Sequence, residues 1–112
     1  MADFKPTDLG FLATSTGYTQ IIPAPPSGIF VIKDGGVTIQ NTTTTDHTLT
    51  FEIRKGTQSV QLGPPNTIQA KEVFIWERVI RIPSDFTGIF AKFTAAPASK
   101  PSFYYTGTVD GA

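Results

Sequence analysis

The chain has 112 residues, 39% hydrophobic and only 16% charged, with nine basic and nine acidic side chains and a formal net charge of zero. That length fits one domain, able to bury roughly two-thirds of the surface its unfolded form exposes. The even charge argues against the clustered Lys and Arg of a nucleic-acid footprint, and the lack of cysteine excludes disulfides, thiolate nucleophiles and sulfur-based zinc sites.

Residues 1–17 read as an extended N-terminal arm in which Phe4, Leu9, Phe11 and Leu12 are apolar anchors on a polar segment. No leader of basic residues followed by an apolar core is present, and no run approaches the roughly 18 apolar residues of a membrane-spanning helix. Neither export nor a membrane partner is expected. Residues 18–112 form the single domain. Tyr18 to Ile22 is a short strand, stopped by Pro23-Ala24-Pro25-Pro26, whose prolines cannot donate to a ladder. Ile29-Phe30-Val31-Ile32 is a continuous apolar strand, and Asp34-Gly35-Gly36 permits a bend or bulge after it.

Val37 to Asn41 alternates, with Val37 and Ile39 on the buried face. After the Thr42–Thr45 tract, Leu49, Phe51 and Ile53 alternate with Thr48, Thr50, Glu52 and Arg54, the period of a half-buried antiparallel strand. These two strands and their turn are expected to form a hairpin. Ser59 to Leu62 is another short strand, closed by Gly63-Pro64-Pro65. Thr67 to Trp76 is one apolar-rich segment, Val79 to Ile82 a further strand with Arg78 and Arg81 toward water, and Ile89–Thr94 and Phe103–Val109 complete the set. Short strands spaced about 8 to 12 residues apart, with no helical periodicity, specify an all-β fold: an antiparallel, jelly-roll-like sandwich of about eight strands.

The densest polar cluster is Asp46-His47, which holds the chain's one histidine. A general base oriented by a carboxylate would suit these residue types. Adjacent strand residues point to opposite faces, however, so the expected roles are a turn acceptor for Asp46 and a strand start for His47. The nine acids are scattered singly, no calcium-loop spacing occurs, and neither a phosphate cradle nor a nucleophile elbow is present. The chain is therefore expected to have no catalytic residues, metal or cofactor. Core packing is expected for Phe51, Phe74, Phe90 and Phe93. Phe103 and Tyr105 share one strand face and Tyr104 takes the other, which makes Tyr104, with Trp76, a candidate contact residue. Exposed aromatics would also suit a glycan-binding sandwich.

An apolar strand behind Ile22-Pro23-Ala24-Pro25, then VTIQNTTTTDHTLTFEIRKG, then TIQAKEVFIWERVIRIPSD and a terminal YYTGTV follow one another along the chain. This order resembles small β-sandwich virion proteins of tailed bacteriophages, across residues 18–110. The resemblance implies a decoration or cement protein of the head, or a tail, neck or fibre component. Its partners would be the major capsid protein or other virion subunits and further copies of itself, met in the virion after assembly in the host cytoplasm. Lys33-Asp34-Gly35-Gly36 departs from the pattern by interrupting a strand where such proteins often run on.

Overall fold

The computed structural model describes residues 7–111, with side chains from residue 12 onward. The alternating and apolar runs form twelve strands: β1 (Thr7–Phe11), β2 (Thr19–Pro23), β3 (Ile29–Ile32), β4 (Val37–Gln40), β5 (His47–Lys55), β6 (Gln58–Gln61), β7 (Asn66–Ile68), β8 (Val73–Ile75), β9 (Ile80–Pro83), β10 (Gly88–Phe93), β11 (Ser102–Thr106) and β12 (Thr108–Asp110). Every pairing is antiparallel, and no helix occurs among the described residues.

Four of these breaks interrupt longer strands. One sheet has the order β1-β11-β4-β8 and another β12-β3-β9. Because β11 runs into β12, β3 into β4 and β8 into β9, the two are halves of a single bent sheet. Likewise β6 and β7 lie end to end along one edge of β5, split at Gly63-Pro64-Pro65, in the sheet β2-β10-β5-β6. With each interrupted strand counted once there are eight, ordered 1-8-3-6 in one sheet and 2-7-4-5 in the other. That interleaving of two Greek keys is a jelly roll, as the strand spacing predicted.

The bend in the first sheet has a local cause. Gly36 N–H donates to Lys33 O (2.8 Å), Gly35 N–H to Trp76 O (3.0 Å) and Thr106 N–H to Gly36 O (2.8 Å), so the turn is tied to both neighbouring strands. A Cβ on Gly36 would lie 2.7 Å from Thr106 O, and one on Gly107 2.2 Å from Val31 O. Only glycine lets the strands approach this closely where they change direction. The Gly35-Gly36 interruption is thus a bend inside a strand.

Between the sheets lies the core: Phe30, Ile39, Leu49, Phe51, Ile82, Ile89 and Phe93 are almost completely buried, joined by Leu12 and Trp76. Burying each such side chain contributes about 1.5–3 kcal/mol. Trp76 stacks on Phe51 with ring centroids 4.6 Å apart, and half-buried Phe74 stacks on the same ring at 6.2 Å. Phe30 meets Tyr105 edge-on at 5.9 Å.

Four expectations need correction. The β4–β5 hairpin does not form: β4 pairs with β11 and β8, while β5 pairs with β10, β6 and β7, so residues 41–46 carry the chain from one sheet to the other. Alternation specifies which face is buried and is silent on which strand lies alongside. Second, residues 67–76 are two strands in different sheets, separated by Lys71 at φ 61°, a left-handed conformation with no glycine to announce it. Third, Thr7–Phe11 pairs along its whole length with β11, and Leu12 N–H donates to Pro101 O (2.9 Å), so from Thr7 the expected arm is an edge strand of the sandwich. Fourth, Phe90 sits half-buried on the outer side of the second sheet, and Val79 is exposed.

Candidate functional site

The Asp46-His47 cluster resolves into a bracket that holds a turn. Asn41 is 1% exposed, and its two Nδ2 hydrogens are shared among Thr45 O (2.8 Å), Ile68 O (3.1 Å) and Gln69 O (3.2 Å). Its Oδ1 accepts the Thr43 N–H (3.0 Å) and the Thr43 hydroxyl (2.7 Å). Asp46 Oδ1 accepts the Ala70 N–H at 2.9 Å, the turn role expected for it. His47 Nε2 lies 3.0 Å from Thr43 Oγ1, the geometry of a threonine–histidine pair. The same hydroxyl lies 2.7 Å from Asn41 Oδ1 and 3.0 Å from Thr45 O, so it is built into the turn's own network. The His47 ring also packs edge-on against Phe93 at 6.0 Å, fixing it at the sandwich rim. Among the described residues, no three His, Asp or Glu side chains converge as a metal site requires.

Two residues expected at a contact surface are interior. Leu12 is 3% exposed and Trp76 5% exposed, both within this chain's own core. Phe4 lies outside the described residues.

The remaining candidates are brought to one place by strand register. On β11 the alternation puts Phe103 and Tyr105 inward and leaves Tyr104 39% exposed on the outer face of the bent sheet. Tyr104 pairs with Thr38 of β4, which pairs with Ile75 of β8. Beside that row, Ser102 pairs with Gln40, which pairs with Val73. Val73 and Ile75 are each about half exposed, at 49% and 51%. In β1, Leu9 occupies the register position next to Tyr104 and Phe11 the one next to Ser102. These two rows hold no charged residue. A shallow cleft of about 190 Å³ on this face is lined by Thr38, Gln40, Ser102, Phe103 and Tyr104. Val73 and Ile75 were missed in the sequence because their segment reads as one continuous strand, which hides its outward positions.

The other outer face has a different chemistry. On β5, Thr50 and Glu52 are buried although they alternate with the core residues, because Tyr18, Phe90 and Lys92 cover them. Arg54 is ion-paired to Glu52 and stacks 4.2 Å from the Phe90 ring centre and 5.2 Å from that of Tyr18, with Lys92 Nζ 4.8 Å from the latter. Burial raises the Tyr18 phenol above its usual value of 10.0, and the charge of Glu52 and a hydrogen bond to it add to the rise, while Arg54 opposes it. This face is a satisfied polar and aromatic cover; the two rows on the first sheet's outer face are uncharged and open.

No protein family, curated protein or solved structure matches the chain.

Proposed function

We propose that this protein is a non-enzymatic structural component of a tailed-bacteriophage virion, acting as a decoration or cement subunit that stabilises the head through protein–protein contacts. The observation that carries this reading is the charge-free patch on the outer face of the bent sheet, where Ile75, Thr38 and Tyr104 form one row and Val73, Gln40 and Ser102 another. Depletion of charge with an aromatic at the centre is the composition of a protein-interface core. The jelly roll supports the reading by analogy only, since viral coat proteins, lectins and cupins share the architecture. The order of strands and turns over residues 18–110 resembles small virion proteins and supplies the choice among these. A position on the tail, neck or fibres would use the same contacts. A glycan-binding role loses its best residue, because Trp76 is core.

The test is attachment of the purified full chain to particles that lack it. Tyr104→Lys puts a charge at the centre of the face while leaving the inward Phe103 and Tyr105 in place, and should weaken attachment about 30-fold or more, the range of an interface hot spot (about 2 kcal/mol). Unchanged attachment with the far-UV spectrum preserved would exclude this face as the docking surface.

A further inference from the structure

Most sheet edges carry a feature that discourages pairing with another chain. β2 ends on Pro23 with Pro25 and Pro26 beyond it, β9 holds Arg81 and Pro83, and β12 holds Asp110. β7 follows Pro64-Pro65, and β1 contains Asp8. Proline and charge are the common means by which natural sheets protect their edges. β6 and β8 have neither, and β8 is the more apolar of the two: β6 reads Gln-Ser-Val-Gln, whereas β8 reads Val73-Phe74-Ile75, with the two β-branched residues about half exposed.

The backbone of β8 is available on its outer side. Its ladder with β4 extends beyond the strand, since Glu72 O accepts Asn41 N–H (2.9 Å), Trp76 N–H donates to Val37 O (2.9 Å), and Trp76 O accepts Gly35 N–H. Residues 72, 74 and 76 therefore face β4, and the alternation turns the N–H and C=O of Val73 and Ile75 outward. An open cleft of about 200 Å³, lined by Thr67, Ile68, Gln69, Glu72, Val73 and Phe74, runs beside it.

We infer that β8 pairs antiparallel with β8 of a second copy, making a two-fold dimer with one continuous sheet. The register is dictated by the chain itself. Only residues 73 and 75 have outward backbone groups, so Val73 must face Ile75 of the second copy and Ile75 its Val73 to use both pairs. The edge is thus complementary to itself in hydrogen bonding and apolar contact, as an isologous interface requires. Pairing also doubles the apolar outer face. The inference concerns the purified protein alone and holds whether or not the chain is carried by a particle.

Sedimentation velocity of the full chain over a concentration series tests it, with a dimer expected. Ile75→Lys should give a monomer, and hydrogen exchange at the Val73 and Ile75 amides should slow as the wild type dimerises. A monomeric wild type, which would leave the edge to a different occupant, overturns the inference. So does a ring of higher order, or a dimer that Ile75→Lys leaves intact.

Discussion

Tyr104 and Trp76 are both large amphipathic aromatics in β-rich sequence, and nothing in composition separates their fates. The period of two does separate Tyr104, because Phe103 and Tyr105 flank it and both belong inside. Trp76 has no such frame: it follows Ile75 immediately after a strand, and its burial depends on Phe51, 25 positions earlier in the chain and in the opposite sheet. A stacked pair of this kind contributes about 0.5–1.5 kcal/mol beyond simple burial, so it stabilises the contact between sheets. Tyr18 was legible only as the start of a strand. Its role as a lid over Glu52 comes from chain path, which local pattern does not encode. A phenol whose folded value is raised contributes stability that is present below the unfolded value of 10.0 and is lost as pH rises through the folded one. Absorbance titration of wild type against Tyr18→Phe should therefore show one tyrosine ionising above 10.0, and Glu52→Gln should bring it down by removing the charge and its hydrogen bond. A Tyr18 that titrates at 10.0 in the folded wild type contradicts the described cover.

At the scale of elements, the strands over residues 29–32, 48–54, 59–61 and 89–93 were legible because alternation, apolar runs and proline stops agree there. Partners were not. The turn at residues 41–46 looks like a hairpin turn, yet Asn41 ties it to Ile68 and Gln69, across the end of the sandwich, and β5 continues in the other sheet. Pairing is a long-range property, and a side chain such as Asn41 gives no sign in sequence of which carbonyls it will reach. The bend between β3 and β4 was legible in Gly35-Gly36, but Gly107, which permits it from the neighbouring strand, was hidden inside an apparent single strand over 103–109. Gly107→Ala would set a Cβ 2.2 Å from Val31 O and 2.8 Å from the Phe30 ring, and should destabilise the fold by about 3 kcal/mol or more. Gly56→Ala, with φ +60° and open space around it, should cost only about 1–2 kcal/mol. Urea denaturation of the two variants compares them, and equal costs would contradict the close crossing of β12 and β3.

The whole molecule divides its two outer faces between different tasks. The second sheet is covered by Tyr18, Arg54, Phe90 and Lys92, whereas the first leaves Val73, Ile75 and Tyr104 in the open. With no net charge to keep copies apart, such a surface suits assembly. Register also alters how the N-terminal segment should be read. Removing residues 2–12 would delete β1 and the buried Leu12 along with any contact they make, so truncation should stop before Thr7 if it is to report on binding alone. The asymmetry of the faces was out of reach of the sequence, because it follows from where residues 12–18 cross the sandwich. The central claim is that this surface serves assembly in a virion. Quantitative mass spectrometry of gradient-purified virus particles produced from the genome that carries the gene tests it most directly: the account predicts the protein in a fixed ratio to the major capsid protein, and its absence from particles while abundant in the same lysate would contradict the account.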